Sequence, residues 1–551
     1  MIQGLSWRLR LKKSLGRSIL AFILFFGLIS YGLVGCLPQA SPPIASDTRH
    51  ITIGTVLKPR TIDPADSYDL AGLMVVYNLG ETLYTYQLGT TTLIPQLAQA
   101  MPTLSADGLT YTIPLRSGVT FHDGTSFNAE AMAFSLNRFI KNGGEPSFLL
   151  ADTIDTVTVK DPQTLVIRLK EPFAAFPALL AFPGACAVSP NAYEIGEGKF
   201  NPESFVGTGP YRLTAFNSDS LRLEAFADYW GEKPKNAGIN LQLYPSNPAN
   251  LFNAFRTQAI DVAYQSLQAQ QVKALKEDAA KGQGQVIDSS GSVINFMALN
   301  MQTDALKQIL VRKAIAALID RKLLNERILQ GQGEPLYSMI PKSFAAYQPV
   351  FQTAYGDHNI EQAKQLLQQA GFSKENPVRV QIWHSSGSIP NSIVAALLKA
   401  LSKRDLDNAI QFEPNSIAGA AFFRNVGKGL YETTLSNWYP DFLDPDNYIY
   451  PFLDCAKGSV QKGCEEGGAQ SQGSFYYNPK MNELIAQQRR ELDSEKRNAI
   501  FGEIQTLLAQ DIPYIPLWQT KDFAFAQNAI AGAVINPSQT FPFWTLEKKA
   551  S

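Results

Sequence analysis

Histidine and cysteine are scarce in this chain, with four of each among 551 residues. His50, His122, His358 and His384 lie far apart, and neither an H-E-x-x-H nor a C-x-x-C spacing occurs. Zinc needs several such ligands converging on one ion, so a dedicated metal site is not expected. A G-x-S-x-G elbow and a Cys/His pairing are also missing, which removes the usual sources of an enzyme nucleophile. No internal repeat of fixed period is present. No basic stripe interleaved with aromatics is present either, so nucleic acid is not an expected partner.

Charge is unevenly placed. Arg8, Arg10, Lys12, Lys13 and Arg17 precede the apolar run "SILAFILFFGLISYGLV". Without those five, 43 Lys and Arg stand against 49 Asp and Glu, and the body is acidic. A basic stretch, an apolar core and small residues in "LVGC" read as a secretory signal over 1–35. Cys36 in that setting resembles the lipobox of bacterial lipoproteins, which implies cleavage before Cys36 and a lipid on its thiol. An uncleaved membrane anchor is the alternative, since the run nearly spans a bilayer. Either way the body is expected outside the cytoplasm, on the periplasmic side of the membrane. Residues 36–47, rich in Pro, Ser and Ala, read as a linker.

The remaining body of about 500 residues exceeds one hydrophobic core and should divide into two or three lobes. Its 45% hydrophobic and 18% charged residues place it among globular proteins. "HITIGTV" alternates as a strand, and "GLTYTIPLRSGVTF" reads as two short β segments ended by the turn "HDGT". "FNAEAMAFSLNRFI" has helical spacing with Asn128 as N-cap. "DTVTVKDPQTLVIRL" reads as a hairpin around Asp161-Pro162. "ALKQILVRKAIAALIDRKLLNERIL" reads as one long amphipathic helix, with Arg312, Lys313, Asp320 and Arg321 on a solvated face. "NIEQAKQLLQQAGF" is a helix from Asn359 to Gly371, where glycine can take the left-handed cap. "RVQIWHS" is strand-like and "IVAALLKALSK" helical. The class is mixed α/β. Cys455 and Cys464 flank "AKGSVQKG" and can close a small disulfide in an oxidising compartment, with two free thiols as the alternative. Cys186, in "FPGACAVSP", reads as a small buried hydrophobe.

"NWYPDFLDPDNY" places Trp438, Tyr439, Phe442 and Tyr448 around Asp441, Asp444 and Asp446. Aromatics favour leaving water and carboxylates favour staying in it, so a ligand with an apolar body and a cationic end suits both. A calcium loop needs glycine at its sixth position, where "DPDNYI" has Ile449. A glycosidase pair needs carboxyls across a cleft, which neighbours on a Pro-rich turn seldom meet. "DPDN" itself reads as a solvated turn over Asp444, Pro445, Asp446 and Asn447.

"LRSGVTFHDGTSFNAEAMAFSLNRF", "GTGPYRL", "DYWGEKP", "VRKAIAALIDR" and "WYPDFLDPDNY" follow one another in an order that resembles family 5 of the bacterial extracellular solute-binding proteins. These are peptide- and nickel-binding receptors of ABC importers. Residue by residue the motifs are structural: His122 as a hydrogen-bonding residue, "GTGP" as a fixed bend, and Tyr229 and Trp230 as packing groups. The resemblance implies a three-lobed periplasmic-binding-protein clamp of class II type with an extra inserted lobe. Mapped here, the first lobe holds 48–90, 206–288 and 513–551, the inserted lobe 91–205 and the third lobe 289–512. Two hinge-crossing segments are expected near "SVINFMALN" and "DIPYIPLW".

In peptide-binding members a carboxylate in the pattern W-x-x-D meets the peptide's α-amino group. The resemblance thus implies Asp441, Trp438 and Tyr439 as ligand-binding residues, with no catalytic residue and no cofactor. Asn437 and Pro440 depart from the peptide receptors' pattern, and Pro440 removes an N–H beside the aspartate. The implied function is a non-enzymatic, monomeric, lipid-anchored receptor that passes short peptides to an ABC permease and its ATPase. A nickel chelate, haem, opine or oligosaccharide is the alternative ligand. A secreted hydrolase using Asp441 with Asp444 or Glu432 is the alternative of another class.

Overall fold

The computed structural model describes residues 49–265 and 267–549. The expected signal, Cys36 and the linker over 36–47 lie outside the described residues.

β1 (His50–Thr55) buries Ile51 and Ile53 completely. It leads to α1 (Leu70–Leu79), whose first turn is capped by Asp69: Oδ1 accepts from Gly72 N at 2.9 Å. β2 (Thr103–Leu104), β3 (Thr110–Pro114), β4 (Ile154–Asp161) and β5 (Thr164–Leu169) then make an antiparallel sheet of order β2-β3-β5-β4. β4 and β5 are the hairpin around Asp161-Pro162. α2 (Ala129–Lys141) starts as read, with Asn128 accepting from Ala131 N at 2.9 Å. The second β segment read in "GLTYTIPLRSGVTF" is reduced to one bridge between Thr120 and Ser126.

Apart from three two-stranded ribbons, the rest of the β structure among the described residues is one sheet of eleven strands. Beside β1 it contains β6 (Tyr211–Phe216), β7 (Ser220–Ala225), β8 (Gly238–Leu243), β9 (Val262–Tyr264) and β10 (Gln285–Leu299). It continues with β11 (Gly333–Pro335), β12 (Val378–Ser385), β13 (Ile410–Ile417), β14 (Thr433–Trp438) and β15 (Tyr514–Ala526). The order is β13-β12-β14-β10-β15-β9-β1-β8-β7-β6, with β11 on β15.

β10 and β15 join the two halves of that sheet. They pair antiparallel from Gln285–Ala526 to Ala298–Tyr514, with register breaks between Ser290 and Ile294 and between Asn295 and Phe296. At one end β15 pairs with β9, and at the other β10 pairs with β14. Breaks in register bend a strand pair and raise its twist, which suits a segment that crosses between lobes. "SVINFMALN" and "YIPLW" lie on these two strands. From Gly291 to Leu299 every residue of β10 is buried, as expected where both faces are covered. The architecture is a multi-lobed α/β clamp.

The long helix read from Ala305 to Leu329 is two: α3 (Ile309–Leu318) and α4 (Arg321–Ile328). Asp320 breaks it, because its side chain accepts from Leu323 N at 2.9 Å and caps the second helix. The solvated face read there is also corrected. Arg312 is 4% exposed and Arg321 fully buried. Arg321 Nε donates to Leu336 O at 2.8 Å and Pro516 O at 3.0 Å, and Nη1 donates to Asp357 at 3.1 Å. Arg312 Nε donates to Asp511 O at 2.9 Å. Carbonyls where β15 enters the sheet need donors, and the guanidinium fork supplies several from one side chain. α5 (Ile360–Gln369) and α6 (Ile389–Asp405) follow the sequence reading; Asn359 caps the first, and Gly371 beyond it has φ +83°.

Cys455 and Cys464 form a disulfide, and Cys186 is free and buried. Among the described residues no helix is long and apolar enough to cross a membrane.

Candidate ligand-binding site

β14 ends at Trp438, and Pro440, which has no N–H to continue a ladder, lies just beyond. The chain then enters a 3-10 turn, Pro445–Tyr448. This is where "DPDN" departs from a solvated turn: Asp446 is 2% and Asn447 4% exposed. Asp444 accepts from both terminal nitrogens of Arg497, at 2.7 and 2.8 Å. Asp446 accepts from Gln488 and lies 3.9 Å from Arg489. Helix side chains more than forty residues away neutralise the turn, and no local pattern records them.

Asn447 orients the sequence-nominated residues. Its Oδ1 accepts from Asp441 N at 3.0 Å and from the Trp438 indole N–H at 3.1 Å. Trp438 is half-buried, edge-on to Phe452 at 5.1 Å between centroids. Tyr439 is 48% exposed.

Asp441 meets a residue from the start of the chain. The Tyr68 hydroxyl donates to its Oδ1 at 2.6 Å, and Asn447 Nδ2 stands 3.5 Å from Oδ2. Tyr68 is held by edge contacts with Phe148 and Phe182. Burial pushes the Asp441 carboxyl up, and the bonds from Tyr68 and Asn447 pull against that shift. Among the described residues no Lys, Arg or His pairs with it. The same approach of early and late segments brings Tyr86 OH within 2.8 Å of Leu443 N, whose hydrogen bond it accepts.

These groups line a cavity of about 450 Å³, walled mainly by aromatic and aliphatic side chains. Asp441, Trp438 and Tyr439 all face it, as do Asn437 and Pro440. Sequence reasoning missed Tyr68, Asp69, Tyr77, Phe182, Phe423 and the segment around Gln539, which reach it from distant parts of the chain. Asp69 and Asp441 are its charged lining residues; it has no lysine, arginine or histidine.

The hydrolase pairing fails on geometry. Both oxygens of Asp444 are engaged by Arg497, and Glu432 is outside the cavity, accepting from Gln381 N at 2.6 Å. His122 is structural: its ring meets Gly209 O and Gly207 N of "GTGP" at 3.0 and 3.3 Å. Tyr229 and Trp230 donate to the buried carboxylate of Glu81 at 2.8 and 2.7 Å. Among the described residues no cluster of His, Cys, Asp or Glu could hold a metal ion.

A cavity enclosed by segments from the start, the middle and the end of the chain, with aromatic and aliphatic walls, is the arrangement of a solute-binding receptor. Residues 92–459 match the bacterial extracellular solute-binding proteins, family 5 Middle, and the chain belongs to that family. It is 27% identical over 536 residues to the probable D,D-dipeptide-binding periplasmic protein DdpA of Escherichia coli, covering 95% of this chain and 98% of that one. It is 26% identical over 533 residues to the glutathione-binding protein GsiB of Pectobacterium atrosepticum, covering 94% and 97%. HbpA2 from Haemophilus parasuis shares the fold with a TM-score of 0.79 and 20% identity, covering 91% of this chain and 100% of that one. DppA from Helicobacter pylori, solved with the peptide STSA, gives 0.70 and 23%, covering 91% and 98%.

Proposed function

We propose that this protein captures short peptides by their free α-amino group and delivers them to a membrane permease driven by an ATPase. The observation that carries this reading is Asp441, a half-buried carboxylate facing the cavity with hydrogen bonds but, among the described residues, no cationic partner. An ammonium about 4 Å away gains roughly 4 kcal/mol before desolvation at an effective dielectric near 20. Trp438 and Tyr439 supply rigid walls at low entropic cost. Relatives named for dipeptide and glutathione binding support the ligand class.

A haem, an opine or a metal chelate brings carboxylates, which a cavity lined by Asp69 and Asp441 without a cation opposes. In this reading the protein is a monomer on the periplasmic side, tethered by a lipid on Cys36. Its lobes are those given above, and ligand shifts an open–closed equilibrium by its differential affinity.

Titration calorimetry on the full-length protein tests the reading. A pool of di- to pentapeptides is compared with the same pool acetylated at the N-terminus. Binding lost on acetylation and equally in Asp441→Asn supports it. No binding in either pool sinks the peptide assignment.

A further inference from the structure

α1 presents Leu70, Leu73, Met74 and Tyr77 to the ligand cavity, the i, i+3, i+4, i+7 spacing of one helix face. The helix starts within the cavity lining, at Asp69. A helix N-terminus offers free N–H groups and the positive end of the helix dipole, so in an apolar cavity it is where a ligand's carboxylate would gather. Here the chain's own carboxylate takes that place. Asp69 Oδ1 accepts from Gly72 N at 2.9 Å, and Asp69 O accepts from Leu73 N at 2.9 Å. Asp69 Oδ2 has no hydrogen-bond partner.

The polar groups elsewhere in the lining are neutral, and most of their donors are spent. Asn536 Nδ2 uses both hydrogens, on Tyr77 OH at 3.1 Å and Thr540 Oγ1 at 3.0 Å. The hydroxyls of Ser538 and Thr540 share a 2.9 Å bond, and Gln539 Nε2 donates to Asp522 Oδ1 on β15 at 3.3 Å. The Trp438 indole N–H is given to Asn447 and the Tyr68 hydroxyl to Asp441. The lining contains no lysine, arginine or histidine. A zwitterionic peptide entering the cavity brings a carboxylate at its C-terminus. That group would shed water and meet Asp69 and Asp441 without a cation to pair with, which is costly. Its amine meets the opposite condition.

We propose that the receptor selects amines whose other end is uncharged, and that Asp69 sets this preference by holding the start of α1 against ligand carboxylates. For a peptide, the free N-terminus meets Asp441 and the C-terminus enters as an amide, an ester or a ring closure instead of a carboxylate. This inference rests on the amine-anchored peptide reading above.

The test is titration calorimetry on the full-length protein with alanyl-leucine amide, alanyl-leucine and N-acetyl-alanyl-leucine amide. The first two differ only in the charge at the C-terminus. The amide should bind at least about tenfold more tightly than the acid. Asp69→Asn keeps a good helix cap and removes the charge, so it should narrow that gap about threefold or more by raising the affinity of the acid. Equal affinity for acid and amide, or a preference for the acid, overturns the inference while leaving the amine anchor intact, provided the acetylated peptide binds more weakly. So does a gap unchanged in D69N. The comparison on the unmodified protein remains decisive if D69N fails to fold. Acetylated and free amides binding equally, or no peptide binding, overturns the amine anchor and this selectivity with it.

Discussion

The Tyr68 hydroxyl donates to Oδ1 of Asp441 at 2.6 Å, although 373 residues separate the two in the chain. One segment precedes α1 and the other follows β14, so this bond ties the early part of the chain to the wall that holds the nominated ligand anchor. Tyr68 and Asn447 are the donors that oppose the upward push of burial on the Asp441 carboxyl. A hydrogen bond to a charged group is worth about 1.5–3 kcal/mol. Tyr68→Phe should therefore weaken free-amine peptides by about tenfold or more in calorimetry. Unchanged affinity would show that the hydroxyl leaves Asp441 when ligand arrives.

Asp522 should make stability depend on pH. Burial raises its carboxyl from an ordinary 3.8 to about 6. Between those values the folded chain keeps a proton that the unfolded chain has lost, so stability falls as pH rises through the window. The cost is complete above about 6 and amounts to about 3 kcal/mol at most. Asp522→Asn should be more stable than the unmodified protein at neutral pH, and the two should converge below the unfolded value. Denaturant titrations across that range check the difference curve; a constant offset would contradict the assignment.

Glu81 is 2% exposed and accepts from Thr208, Tyr229 and Trp230 at 2.8, 2.8 and 2.7 Å. Burial nevertheless pushes its carboxyl up to about 7, against the pull of those donors. Glu81→Ala leaves buried donors unmatched and should cost about 2–5 kcal/mol. Glu81→Gln retains an acceptor oxygen and should cost less. Thermal unfolding of the pair checks the order.

Arg138 and Asp63 make a doubly hydrogen-bonded pair at 2.7 and 2.6 Å, with both side chains essentially inaccessible to water. The guanidinium also covers the Tyr193 ring at 4.6 Å. Removing one member strands a buried charge, so Arg138→Ala should cost about 3–5 kcal/mol. Asp63→Asn combined with Arg138→Met should recover part of it, and a double-mutant cycle checks the coupling.

Much of the secondary structure was legible because its causes are local. Asn128 and Asn359 bond to amides three residues on, and the hairpin at Asp161-Pro162 is set by alternation on either side of a turn. The misread stretches have remote causes. Asp320 ends one helix and caps another within a run whose apolar spacing never breaks. Arg312 and Arg321 look like a wetted face until the carbonyls of Asp511 and Pro516 are brought to them. "DPDN" looks like a surface turn until Arg497 and Gln488 cover it.

The sequence by itself determined the mixed α/β class, the family, the absence of enzyme and metal signatures, and the stretch on which Asp441, Trp438 and Tyr439 sit. Those depend on residue type, short spacing and motif order, which survive without coordinates. Tertiary structure decided which groups surround Asp441, that no lysine, arginine or histidine among the described residues pairs with it, and that Asp522 accepts from Gln539. A sheet whose neighbouring strands come from opposite ends of the chain makes such encounters, and burial then decides the charge each carboxylate carries.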